Sequence, residues 1–96
     1  MKLRFRSAAQ SDIARIFDYL DGQSPQARQN LEARLRLALE LLLDFPLTGQ
    51  TTTRSGVRRL IVTSHTYAIF YRVSGDVIVV ISARHTARRP LSQSRR

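Results

Sequence analysis

Apolar and polar positions along the 96-residue chain fall into two periods. Residues 2–6, KLRFR, alternate basic and apolar side chains, the two-residue period of a half-buried strand. From Ser7 the period lengthens. Ala9, Ile13, Ile16, Phe17 and Leu20 recur at three- and four-residue steps and line one helical face, while Asp12, Arg15 and Asp18 lie elsewhere on the wheel. Ser7 and Gln10 have the spacing of a capping box at the start of this helix. Asp21-Gly22 is expected to end it, with the glycine in a left-handed C′ position.

Ser24-Pro25 is the N-cap and first-turn proline of a second helix running to about Phe45, where Pro46 stops it. Its inner stripe is Leu31, Leu35, Ala38, Leu39 and Leu42, and Glu32 and Arg36 pair four residues apart on the outside. Leu37, Leu41 and Leu43 widen the apolar surface beyond one stripe, so this helix needs a further cover. Leu47 to Gly56 is polar, rich in turn residues and without period, and is expected to be the most mobile segment.

Three strands follow, at about Val57–Val62, Tyr67–Val73 and Val77–Arg84, with Ser74-Gly75-Asp76 as the hairpin turn between the last two. Tyr67, Ile69, Tyr71 and Val73 share one face of their strand, and Ala68, Phe70 and Arg72 the other. Tyr67 and Tyr71 are expected to pack with their hydroxyls at a rim. Arg58 and Arg59 point to opposite sides, one toward the edge of the helices and one toward the open face. The last strand is apolar on both faces and belongs inside the sheet. The order β-α-α-β-β-β therefore predicts an α+β domain, a small, largely antiparallel sheet with a helical hairpin on one face. Residues 1–89 form this domain, and 90–96 form a basic tail that frays unless bound.

Charge changes the picture more than composition does. Sixteen basic residues, fifteen of them arginine, against seven acidic ones give +9, which calls for an anionic partner: RNA, DNA or an acidic polypeptide. Apolar residues at 43% suffice for a packed core. No run is long enough for a membrane span, the N-terminus does not have the pattern of a signal peptide, and cysteine is absent, so a cytoplasmic setting is expected. No phosphate-binding glycine loop, metal-spaced cluster or nucleophile elbow is present, and no cofactor is expected.

What remains for chemistry is a metal-free site of histidine, tyrosine and arginine. His85, beside Arg84 and close before Arg88 and Arg89, has three open readings: proton transfer, contact with a partner, or an inert strand end. His65 falls in a turn and is expected to be inert.

Taken together, DIARIFDYL in the first helix, FPLTG closing the second, GVRRL, YAIFYRV and GDVIVVISARHTARR resemble the ParE/RelE toxin superfamily of bacterial type II toxin–antitoxin systems. The ParE branch is the nearer, through Pro46, Gly49, Gly56, Val57, Arg58, Tyr67, Ile69, Tyr71, Arg72, His85 and Arg88. That resemblance implies a non-enzymatic toxin that binds and inhibits DNA gyrase, with Arg58, Arg72, Arg84, His85, Arg88 and Arg89 as the target-binding rim. It also implies a cognate antitoxin, an acidic segment wrapping the toxin in a hetero-oligomer, over Leu37, Leu41, Leu43, Tyr67 and Tyr71. DNA is then met only through gyrase or antitoxin. The RelE branch implies instead a ribosome-dependent mRNA endonuclease, with His85 as acid/base and Arg59, Arg84 and Arg88 on phosphate. Ala68 and Ile61 stand where that branch carries basic residues, and no tyrosine follows Tyr71. A plain basic nucleic-acid-binding module is the third alternative.

Overall fold

The computed structural model describes residues 1–63 and 67–86. Strand β1 (Lys2–Phe5) leads directly into helix α1 (Ser7–Gln23), followed by α2 (Pro25–Asp44) and strands β2 (Gln50–Thr51), β3 (Arg58–Ile61), β4 (Tyr67–Ser74) and β5 (Val77–His85). The sheet order is β1-β5-β4-β3-β2, with β1 parallel to β5 and every other pair antiparallel. This is the expected small α+β fold, with one strand more. The two residues of β2 carry no apolar period of their own and pair only with Arg58 and Arg59.

Local signals held at one helix boundary and not at the other. Ser24 accepts the Ala27 N–H at 3.0 Å on its hydroxyl, with Pro25 in the first turn, as a cap should. Ser7, by contrast, is already helical, and Arg6 occupies the N-cap without a side-chain bond. Because β1 ends at Phe5, the chain has no spare residue in which to extend a serine cap. Gly22 does not terminate α1 either. The helix runs on to Gln23 and turns through an extended Ser24 (φ −171°), which needs no left-handed residue.

One core joins the two layers. Tyr71, Leu42, Ile69, Ile78 and Val80 are its largest fully buried side chains, each contributing about 1.5–3 kcal/mol when removed from water. Leu3 and Phe5 of β1 and Ile13, Ile16, Phe17 and Leu20 of α1 pack around them. Arg28 of α2 crosses to α1, its guanidinium over the Phe17 ring at 4.9 Å and within 3.2 Å of Asp21. The β4–β5 turn places Gly75 at φ +60°, where a residue without Cβ is favoured.

The β4–β5 ladder breaks once. Phe70 pairs with Ser82 and Tyr71 with Val80, so Ile81 is the extra residue of a β-bulge on β5. Below the bulge Ile78 and Val80 face the helices; above it, Ala83 does. Unbroken alternation would have sent Ser82 and Arg84 inward instead.

Candidate functional site

The bulge decides which side chains can act together. Above it, His85 lies on the helical side, its ring edge-on to Tyr67 at 4.9 Å between centroids. Arg84 lies on the opposite face, its guanidinium 5.8 Å from the Phe70 ring centre. The expected nuclease constellation is thereby divided: Arg59 and Arg84 share the open face, and His85 is on the other side of the sheet. Arg88, Arg89, His65 and the expected tail lie outside the described residues.

Cross-strand register lays out the open face in rows. Ile61, Ala68 and Arg84 stand side by side; next come Arg59, Phe70 and Ser82; then Arg72, Val79 and Arg4; then Val77 and Lys2. Every row carries a base and none carries a carboxylate. Arg59 is held by Gln50, whose side-chain oxygen accepts from its guanidinium at 3.1 Å. The helices hold six of the seven acidic residues and four of the sixteen basic ones, a net of −2, so the rest of the chain carries +11. Among the described residues outside the helices, eight are basic and one, Asp76, is acidic, so the strands and their loops, not the helices, carry the positive charge of the described chain.

Tyr71, expected with its hydroxyl at a rim, is fully buried, and Arg58 is the half-buried member of the Arg58–Arg59 pair that faces the helices. They are cross-strand partners on the helical side, and together they clamp the loop after α2. The Tyr71 hydroxyl donates to the Pro46 carbonyl at 2.7 Å and accepts the Gly49 N–H at 2.9 Å. The Arg58 guanidinium donates to the carbonyls of Leu47 at 3.2 Å and Gly49 at 2.8 Å. Tyr71 is wholly buried, so it offers a partner no surface. A Cβ on Gly49 would sit 2.7 Å from the Tyr71 ring and 2.9 Å from the Arg59 carbonyl, so only glycine fits there. The segment expected to be mobile is thus pinned at its start. Its far end is closed as well, by Thr52, which donates its N–H to the Val57 carbonyl at 3.2 Å and its hydroxyl to the same oxygen at 2.9 Å.

The exposed leucines of α2 do not form one patch. At 100° per residue, Leu37 and Leu41 lie on one flank of the buried stripe, with Phe45 next to them, whereas Leu43 lies on the other flank. Leu37 and Phe45 are each 62% exposed and Leu47 63%, an apolar strip at the C-terminal end of α2. Tyr67 is 7% exposed and lies between two surface pockets. One, of about 540 Å³, is bordered by Leu20, Asn30, Leu31, Arg34 and Thr63; the other, of about 280 Å³, by Asp12, Arg15, Tyr19 and His85.

Comparison with known proteins gives this arrangement a family. A family model described as the ParE toxin of type II toxin–antitoxin system, parDE, matches residues 3–90. The chain belongs to the ParE toxin family. It is the toxin of a type II toxin–antitoxin system in the wider ParE/RelE superfamily. A curated relative, "Toxin RelE2" of Caulobacter vibrioides, is 34% identical over 80 residues, covering 83% of this chain and 89% of that protein. Among solved structures, the chromosomal ParDE toxin–antitoxin system of P. aeruginosa superposes with a TM-score of 0.74 at 20% identity, covering 90% of this chain and 96% of the other. The RelBE2 toxin–antitoxin complex of Mycobacterium tuberculosis gives 0.61 at 23% identity, covering 90% and 91%.

In this ParE-family chain, the motif that carries the resemblance is largely architectural. Pro46, Gly49, Arg58 and Tyr71 are the loop clamp. Gly56, at φ +77°, leaves room for the Arg72 guanidinium, which would lie 2.9 Å from a Cβ. No sequence signal revealed Asp12, which proved to hold the open edge of β5. β1 pairs only as far as Val80, and beyond it one Asp12 oxygen accepts the Ala83 N–H at 3.0 Å while the other accepts from Arg15 at 2.6 Å.

Proposed function

We propose that this toxin acts by binding rather than by cleavage, with DNA gyrase as its target in the cytoplasm. The observation that carries the reading is the separation made by the bulge at Ile81. Arg59, Arg72 and Arg84 can grip an anionic surface on the open face, but the one described imidazole lies on the far side of the sheet and cannot shuttle protons to a phosphate held there. The match to the ParE model supports the same branch. A cognate antitoxin covers the apolar strip of Leu37, Leu41 and Phe45 and satisfies the charge of the sheet layer with an acidic segment; toxin–antitoxin complexes among the structural neighbours support such a partner. Arg88 and Arg89, which follow β5 in the sequence, belong to the same set of target-binding residues in this reading.

Supercoiling of a relaxed plasmid by purified gyrase tests this directly. Inhibition that disappears in an Arg59→Ala, Arg72→Ala, Arg84→Ala triple variant is the expected result; full supercoiling at toxin excess overturns it. The relative named RelE2 favours a second reading, an mRNA endonuclease acting on the ribosome. Its test is a translation reaction examined for cut mRNA: the parent protein leaves none if binding alone is at work, and cutting that is lost in His85→Ala would favour the second reading.

A further inference from the structure

Three arginines of the open face each rest against a neighbour, and two of those neighbours lie in the segment between α2 and β3. Gln50 accepts from the Arg59 guanidinium at 3.1 Å. The Arg72 guanidinium lies where a side chain on Gly56 would begin. Arg84, the third, has its guanidinium 5.8 Å from the Phe70 ring centre of β4. The segment is firm enough to hold the first two. On the helical side, Tyr71 and Arg58 bind its backbone at Pro46, Leu47 and Gly49. Near its end the Val57 N–H donates to the Arg54 carbonyl at 3.1 Å and closes the turn that contains Gly56.

The two glycines of this segment lack a side chain for different reasons. At Gly49 a Cβ would strike the buried Tyr71 ring and the Arg59 backbone, neither of which can move away. At Gly56, where φ is +77°, the atoms in its way are Nη1 of Arg72 at 2.9 Å and Cζ of Arg72 at 3.8 Å. These are the far end of a flexible side chain, so a methyl group there displaces Arg72 and not the loop. An arginine free to change rotamer must be ordered when it binds, which weakens binding, whereas one already held avoids that cost. Gln50 holds by a hydrogen bond, and Gly56 by leaving a notch. We propose that Gln50 and Gly56 are positioning residues, which preset the Arg59 and Arg72 guanidinium groups for an anionic target. The proposal rests on the open face being the gripping surface, whichever molecule is gripped.

NMR of the arginine Nε–H groups in the full chain tests the holding, and inhibition of gyrase supercoiling tests its use. Gln50→Ala should loosen Arg59 and leave Arg72 as it was, and Gly56→Ala should do the reverse. Each substitution should raise the toxin concentration for half-inhibition about two- to tenfold, the range for one freed side chain. The rise should vanish for Gln50→Ala placed on Arg59→Ala, and for Gly56→Ala placed on Arg72→Ala, because nothing is left to hold. A merely structural role would weaken inhibition in both backgrounds alike. Gly56→Ala also strains the backbone, and a thermal melt shows whether it folds; if it does not, the exposed Gln50 decides the matter. If both guanidinium groups keep their signals, if half-inhibition is unmoved, or if the losses persist without the arginines, the positioning role is refuted. If Arg59→Ala and Arg72→Ala themselves inhibit like the parent, the open face fails as the gripping surface and the proposal falls with it. If the parent does not inhibit gyrase, the gyrase reading alone falls, and affinity for a short DNA duplex replaces inhibition in the same comparison, with the same results refuting the role.

Discussion

Replacing Tyr71 with phenylalanine removes one oxygen and tests the clamp. The ring stays in the core, so hydrophobic burial is nearly unchanged and the effect isolates two hydrogen bonds. The Gly49 N–H, in a buried residue, loses its acceptor at 2.9 Å, and an orphaned buried donor costs about 1–3 kcal/mol. The Pro46 carbonyl, lost as acceptor at 2.7 Å, is only half-buried and regains water, so its share is about 0.5–1 kcal/mol. The expected loss is about 2–4 kcal/mol, a large part of the roughly 5–14 kcal/mol that a domain of this length possesses. Urea unfolding followed by circular dichroism should show the midpoint falling by roughly 1–3 M at unchanged slope. Arg58→Met completes a double-mutant cycle. Both side chains hold Gly49, so the second substitution should cost less once the first is made. A loss below about 0.5 kcal/mol for Tyr71→Phe, or strict additivity with Arg58→Met, would refute the clamp. If it survives, reduced toxicity in either variant reports folding and not target contact.

The remaining expectations are smaller experiments. Leu37→Asp and Leu41→Asp should leave stability within about 0.5 kcal/mol while weakening antitoxin binding measured by calorimetry; Leu43→Asp, on the other flank, should weaken it less. Asp12→Ala leaves the Ala83 N–H without a partner and should cost about 1–3 kcal/mol, with faster hydrogen exchange at Ala83; Asp12→Asn, still an acceptor, should retain most of the protection. Neutralising Arg59, Arg72 and Arg84 together should lower the salt dependence of binding to any polyanion by about three units of slope at most, read from heparin or DNA affinity against salt.

The helical hairpin was legible because its period, proline and serine signals are local. So was the split between Arg58 and Arg59, which follows from strand alternation alone. The bulge was not legible, and for a definite reason: VIVVI, residues 77–81, is apolar at every position, so inserting one residue leaves the hydrophobic pattern unaltered. Only the polar residues beyond it, Ser82, Arg84 and His85, change places, and their faces can be read only in the ladder. The clamp was hidden differently. Tyr71 lies 25 residues from Pro46 and 22 from Gly49, so a loop that looks unstructured by composition is fixed by a contact remote in sequence. The motif residues were recognisable before their purpose was, since a recurring glycine and arginine do not announce whether they serve a partner or their own loop.

Charge divided between two layers has a further consequence for control. A basic sheet under a mildly acidic pair of helices gives the molecule an electrical front and back, so a polyanion meets the sheet first and the helices are left facing away. A protein that grips only the strip on α2 would ride along with the bound target and not displace it. Silencing such a toxin therefore requires a ligand long enough to pass around an edge of the sheet, and shortening that ligand from the far end should turn an inhibitor into a passive passenger.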